Sequence, residues 1–327
     1  MKIGIIENSQ FFGRTFWEFL DIITEVGIKH IQLPCRPGTS WTRGYVGTDP
    51  FYGTPELCIF PIEYADPTTM RPSLEFKEKI ETYGVTVTSF YHNCEWLASL
   101  YRGDSILDIE ADRIMELCDI AVKWDVPVMR CSEGPVERYP RGEAVAGHGD
   151  YDKLIRDFSK RTCQRQIRKG IGRCIKYAED VGVYLALENH GRLLNDAEEL
   201  VAMIESFGSE YLGANVDTGN FAHVGALPET LKRYYKIVAP YTYSTHIKDV
   251  KRLWDVNNPP PMRSRRAVEC PVGDGEAEIN VFIDELKKNS RFNEIGTLNI
   301  QQERSWDPRV SRLDMLKKSY AYLKSLL

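Results

Sequence analysis

The sequence predicts an α/β chain that closes as a single (β/α)8 TIM barrel with long βα-loop insertions, on three observations. Short β-branched runs alternate with helical patterns from end to end, and eight strands can be counted, each followed by a helix. The length of 327 residues suits a barrel of about 250 residues enlarged by loop insertion. The turn after the first strand, Glu7-Asn8-Ser9-Gln10, lacks the Gly-x-Gly-x-x-Gly phosphate loop expected of an open doubly wound sheet, the competing architecture.

The elements follow in order. Ile3 to Ile6 reads as strand one, and a helix around Phe16 to Val26 stops at Gly27. His30 to Leu33 is strand two, with His30 structural. Ser73 opens a helix whose Phe76, Ile80 and Tyr83 share a face, with Gly84 closing it. Val85 to Tyr91 is strand three. A long helix starts at Asp104 or Ser105 and carries Ile114, Leu117, Cys118, Ala121 and Trp124 on one stripe, before strand four at Pro127 to Cys131. Ile167, Ile171, Cys174, Ile175 and Ala178 mark a helix ending at Val181-Gly182. Strand five is Val183 to Glu188, followed by a helix from about Asp196 to Phe207. Strand six is Leu212 to Asp217, and Pro228 begins a helix reaching about Ile237. Strand seven is Thr242 to Ile247, Ile279 to Lys288 is helical, Thr297 to Gln302 is strand eight, and Leu313 to Leu327 stripes the last helix.

The whole chain, 1–327, reads as one domain with insertions at about 35–72, 132–157 and 250–278. All three follow the carboxyl ends of strands, the face on which barrel enzymes build their sites. The first carries Trp41, Tyr45, Phe51, Tyr52, Phe60 and Tyr64, an aromatic density that suits a substrate cover or a subunit contact.

Hydrophobic residues at 43% and charged residues at 27% exclude a disordered chain, and no apolar run approaches the ~20 residues of a bilayer span. The amino terminus turns acidic at Glu7, too soon for a signal peptide, so the cytoplasm is expected. The eight cysteines form no Cys-x-x-Cys pair and read as reduced, buried thiols. A net charge of −5, with only the short cluster Arg263-Ser264-Arg265-Arg266 on the basic side, argues against nucleic acid as a partner.

Glu188, Asp217 and His246 each end an apolar strand, in Leu185-Ala-Leu-Glu188, Ala214-Asn-Val-Asp217 and Tyr243-Ser-Thr-His246, at successive spacings of 29 residues. Glu303 ends the next strand, 57 residues on, the surplus being the long third insertion. In a barrel these four side chains converge at one rim. Three carboxylates and an imidazole are costly to gather in a dry site unless a cation neutralises them. Oxygen-rich ligation with one histidine suits Mn2+ foremost, with Mg2+ or Co2+ as alternatives.

Glu188-Asn189-His190-Gly191, Val216-Asp217-Thr218-Gly219-Asn220, Thr245-His246-Ile247-Lys248-Asp249-Val250, Pro271-Val272-Gly273-Asp274-Gly275-Glu276 and the closing Glu303 resemble the xylose-isomerase-like superfamily of sugar isomerases and epimerases. The resemblance spans the chain in element order and is motif-specific from Glu188 onward. It implies that Glu188, Asp217, His246 and Glu303 are the metal ligands, and that Glu188 and Glu303 also exchange protons with a sugar substrate. A metal then stabilises the enediolate formed when a proton leaves the carbon next to a carbonyl. Many epimerases carry a histidine where this chain has Asn220; His223 stands three residues further on, as a substitute or as a packing residue.

His190, two residues past Glu188, points to the same side of the strand and reads as a substrate residue. Lys248 either holds a developing oxyanion or pairs with a carboxylate. His92 lies near the expected rim after strand three. His148, between Gly147 and Gly149, is either a general base or an exposed loop residue. Metal-dependent isomerisation or epimerisation of a sugar leads. A β-eliminating lyase on 3-oxo-glycosides, as in the catalytic subunit of C-glycoside deglycosidases, or an inosose-type dehydratase would use the same metal. An apurinic endonuclease or a non-catalytic binding subunit fits less well. A homo-oligomer, or a hetero-oligomer with a small subunit, is expected.

Overall fold

The computed structural model describes residues 1–8, 12, 14–34, 64, 72–133, 154, 156–191, 193–223, 225–258, 267–302 and 310–327. Seven strands come first: β1 (Lys2–Ile6), β2 (His30–Pro34), β3 (Thr86–His92), β4 (Val128–Cys131), β5 (Tyr184–Glu188), β6 (Leu212–Asp217) and β7 (Thr242–Ile247). An antiparallel hairpin of β8 (Asp249–Arg252) and β9 (Ala267–Cys270) follows, then β10 (Thr297–Ile300). Apart from the hairpin the strands pair in parallel in the order β1-β10-β7-β6-β5-β4-β3-β2 and close into the eight-stranded barrel that the sequence predicts.

The period-two alternation of each strand divides its side chains between barrel interior and helix layer. In β2, Ile31 and Leu33 join the hydrophobic core under the helices, while the Gln32 amide crosses the interior to Ser89 Oγ at 2.9 Å and Ser244 Oγ at 3.4 Å. In β3, Phe90 packs outward on Trp124 at 5.3 Å between ring centroids, so the neighbouring Ser89 and Tyr91 take the opposite face.

The helices form where capping residues stand. α1 (Phe16–Val26) starts at Thr15 in a reciprocal capping box with Glu18 and stops at Gly27, which adopts φ 96°. α2 (Leu74–Glu81) is capped by Ser73 and ends at Thr82, two residues before the predicted stop at Gly84, whose φ of 71° serves the turn into β3 instead. α3 (Ser99–Arg102) and α4 (Ser105–Trp124) precede β4. α5 (Lys160–Val181) runs from the Ser159 cap to Gly182, and α6 (Ala197–Glu205) from the Asp196 cap. α7 (Thr218–His223) is a short helix that periodicity alone did not reveal, set directly on the end of β6. α8 (Pro228–Val238), α9 (Ile279–Leu286), α10 (Ser290–Ile295) and α11 (Arg312–Leu326) complete the layer. Among the described residues no helix is long and apolar enough to cross a membrane.

The third insertion, read from sequence as loop, contains the β8–β9 hairpin. Asp249 anchors it by accepting backbone N–H bonds from Val250, Gly273, Gly275 and Ala277 at 2.9–3.1 Å. The Pro271-to-Glu276 motif therefore wraps a buried carboxylate, and a Cβ on Gly275 would collide with it.

Candidate metal centre

Three of the four expected ligands meet at the carboxyl ends of adjacent strands. Glu188 and Asp217 are the last residues of β5 and β6, and Asp217 lies opposite His246 in the pairing of β6 with β7. All three are about 1% exposed, and one potential ligand atom from each lies within 4.8 Å of the others. His246 Nδ1 is 2.7 Å from Glu188 Oε1 and 3.9 Å from Asp217 Oδ2. Glu303 and His148 lie outside the described residues.

The tautomer of His246 follows from its other nitrogen. Nε2 stands 2.6 Å from Gln32 Oε1, and the Gln32 amide nitrogen is already committed to Ser89 and Ser244. The Gln32 oxygen can only accept, so His246 donates its Nε2–H there. In the neutral ring the Nδ1 lone pair then faces two carboxylates, an arrangement that a proton or a metal ion must reconcile. The donor set of one imidazole nitrogen and carboxylate oxygens fits a hard or borderline divalent ion.

Two buried cations flank the acids. Arg130, on β4, forms an ion pair with Glu188 Oε2, donates to Asn93 Oδ1 at 2.5 Å and to the His92 carbonyl at 3.4 Å, and lies 5.9 Å from the Tyr91 ring. Lys248 Nζ stands 3.2 Å from Asp217 Oδ2. Burial alone would raise the Glu188 carboxyl, but Arg130 and His246 outweigh it and hold the group well below the usual carboxylate range. Lys248 thus adopts the carboxylate pairing, one of the two roles left open from sequence.

Asn189 and Asn220 brace Asp217. The Asp217 N–H donates to Asn189 Oδ1 at 2.7 Å, Asn189 Nδ2 donates to the Asp217 carbonyl at 2.9 Å, and the Asn220 N–H donates to Asp217 Oδ1 at 3.0 Å. Asn220 Nδ2 closes the frame on the Asn189 carbonyl at 3.0 Å. Asn220 is committed to the ligand frame through both its backbone and its side chain. Gly219 makes room for this: a Cβ there would lie 2.7 Å from Lys248 Cβ.

His190 shares the electrostatic field of Glu188, Arg130, Lys248 and Asp217, and burial holds its imidazole below the ordinary range, so it is neutral at pH 7. His223 closes α7, the short helix set on the end of β6. His92 departs from the sequence expectation. Its side chain leaves the interior and meets Glu110 of α4 at 2.6 Å, because it follows inward-facing Tyr91 in the strand alternation. Sequence reading missed Gln32 and Arg130. Each is a strongly polar residue set between apolar neighbours in its strand, Ile31 and Leu33 for Gln32 and Met129 and Cys131 for Arg130, the available signal.

The sequence model of the family described as "Xylose isomerase-like TIM barrel" matches residues 43–326. No curated protein matches. Among solved structures, the chain is similar to a xylose isomerase-like TIM barrel protein from Mycobacterium smegmatis in complex with magnesium, at 17% identity and TM-score 0.62, covering 95% of this chain and 88% of that one. It is also similar to L-ribulose 3-epimerase, at 14% identity and TM-score 0.61 over 100% and 95% of the two chains. A third similarity is to mannonate dehydratase from Streptococcus suis serotype 2, at 14% identity and TM-score 0.64 over 100% and 93%. At these identities the likeness is one of fold.

Proposed function

The chain belongs to the xylose isomerase-like TIM barrel family, and on that premise we propose that it is a divalent-metal-dependent sugar isomerase or epimerase. The reading assigns the metal to Glu188, Asp217, His246 and Glu303, and takes all 327 residues as one barrel domain with its three insertions. The observation that carries it is the His246 ring: its Nε2–H is spent on Gln32, so its Nδ1 lone pair is directed at the Glu188 and Asp217 carboxylates. Glu303 joins them on the sequence motif alone, as the carboxylate that follows the last barrel strand.

When bound, the ion supplies a Lewis acid that draws charge from a sugar carbonyl and its neighbouring hydroxyl, which eases loss of the proton between them. The rest falls to the chain. Glu188, kept ionised by Arg130, is ready to accept a proton, and Glu303 serves the opposite face as its counterpart. Lys248 holds Asp217 in its ligand orientation. His190, neutral at pH 7, can accept or donate a hydrogen bond to a sugar hydroxyl. Three carboxylates, Arg130, Lys248 and a divalent ion leave one net positive charge, which suits a substrate that becomes negative as its proton departs. His148 and the aromatic first insertion are assigned to substrate selection.

The test is incubation with Mn2+ and a panel of ketoses, sugar phosphates and 3-oxo-glycosides in deuterated water, followed by mass spectrometry. The reading expects a product isomeric with its substrate that has gained one solvent deuterium at carbon. Loss of water or of an aglycone would replace it with an eliminating lyase.

A further inference from the structure

Two buried carboxamides stand beside the metal ligands in the barrel interior without joining the ligand frame. Asn215 lies opposite Glu188 on one side and Ser244 on the other in the pairing of β5, β6 and β7. Asn299 lies opposite His246 and Gly4 in the pairing of β10 with β7 and β1. Ala214, Val216, Leu298 and Ile300 join the core under the helices, so both asparagines point into the barrel. A Cβ on Gly4 would lie 2.8 Å from Asn299 Oδ1, so the glycine leaves that side chain its room. Both asparagines are 0% exposed, and none of their four side-chain polar atoms has a hydrogen-bond partner among the described residues.

Two hydroxyl protons of the same interior are also unassigned. Ser89 and Ser244 accept from Gln32 Nε2 at 2.9 and 3.4 Å, and no acceptor for either serine's own proton lies among the described residues. Buried amides and hydroxyls left unbonded are costly, and in native interiors ordered water meets them. This set suits water rather than an ion: two carbonyl oxygens, two NH2 groups and two hydroxyls mix donors with acceptors and carry no charge.

We propose that Asn215 and Asn299 bind ordered water inside the barrel, and that this water takes the hydroxyl protons of Ser244 and Ser89 and so fixes the direction of the Gln32 amide. Its functional meaning rests on the metal reading above, since Gln32 acts through His246. A carboxamide has nearly the same outline in both of its orientations. With their protons directed at water, the two serines accept from Gln32 Nε2, and Oε1 is left to accept the His246 Nε2–H. With those protons turned to Gln32 instead, its oxygen would face the serines and its NH2 would face His246 Nε2. The ring proton would then sit on Nδ1, where it blocks a metal ion. Asn215 and Asn299 are therefore positioning residues, acting on His246 through water, the serines and Gln32.

Neutron diffraction from deuterium-exchanged crystals of the metal-free wild-type chain reads this arrangement atom by atom. The expected map shows water within hydrogen-bond distance of both carboxamides, the Ser244 and Ser89 deuterons directed at water, and the Gln32 oxygen facing His246. Carboxamides without water, or serine deuterons directed at Gln32, overturn the proposal, and this arm needs no variant to fold. Mn2+ titration supplies a second arm. Asn215→Leu keeps the volume and removes the water contacts, and its Mn2+ affinity should fall about tenfold. Because the effect passes through Gln32, the same substitution should cause no further loss in a Gln32→Met background. Unchanged affinity in folded Asn215→Leu, or a loss that adds in full to that of Gln32→Met, overturns the positioning role. A wild-type chain that binds no Mn2+ would defeat the metal reading and leave the neutron result standing, so the two failures are distinguishable.

Discussion

Replacing Gln32 with Met tests how the protein prepares its metal centre. Gln32 is fully buried in the barrel interior and does not reach the carboxylates; its contribution passes through His246. Met preserves volume and removes the oxygen that accepts the Nε2–H at 2.6 Å. The ring then loses its tautomer preference and rotational restraint, and a metal-bound imidazole, which carries partial positive charge, loses its acceptor. A hydrogen bond to a charged group contributes about 1.5–3 kcal/mol. At 1.4 kcal/mol per tenfold, Mn2+ affinity should fall roughly ten- to hundredfold, which agrees with the usual effect of removing a partner behind a metal-bound histidine. Isothermal titration with Mn2+ measures it directly. Gln32→Glu keeps the acceptor and should retain most of the affinity. Unchanged binding in folded Gln32→Met would refute the assignment of Nδ1 as the ligand.

Three further perturbations bear on the same frame. Arg130→Met leaves Glu188 buried without its guanidinium, a loss of about 3–5 kcal/mol in metal-free protein. With an unfolding entropy of about 2.1 cal/mol/K per residue, that lowers Tm by roughly 4–7 °C, and saturating Mn2+ should recover at least half of the loss by calorimetry. Gly219→Ala drives a Cβ against Lys248 and, at 3.3 Å, against Asp217 Oδ1, so Mn2+ affinity should drop with little change in far-ultraviolet circular dichroism. Away from the metal, Asp196 caps α6 and accepts a bond from Tyr234 at 2.6 Å. Burial would raise its carboxyl, but the bonds from Tyr234 and the Glu199 N–H hold it below its ordinary 3.8. A depressed carboxyl stabilises the fold above pH 3.8 and loses that contribution as pH falls through its folded value. Asp196→Asn, which still caps, should therefore be less stable than wild type at neutral pH, with the gap closing below pH 3.8 in thermal melts.

What could be read in advance followed from local signals. Glu188, Asp217 and His246 stood out because each breaks an apolar strand at its carboxyl end, and equal spacing by one βα unit brings such residues to the same rim. Gln32 and Arg130 carry the same kind of signal, a polar group inside an apolar strand. They sit lower in the barrel or on a strand without a ligand, and their value arises only from partners more than fifty residues away. His92 reads as a rim residue because it follows strand three; the strand alternation, counted from outward-facing Phe90, turns its side chain to Glu110. The β8–β9 hairpin was hidden because its pairing depends on Asp249 capturing N–H groups some 24 to 28 residues on, which no periodicity reports. Asn220 stands where many epimerases carry a histidine, and only its bonds to Asp217 and Asn189 reveal a bracing role.

The central claim is that Glu188, Asp217, His246 and Glu303 together hold one hard divalent ion. Mn2+ titration of wild type beside Asp217→Asn and Glu303→Gln tests it most directly. One Mn2+ per chain in wild type, with affinity lost or cut at least tenfold in both folded variants, is the predicted result. Undiminished Mn2+ binding in either variant, or none in wild type, would contradict it.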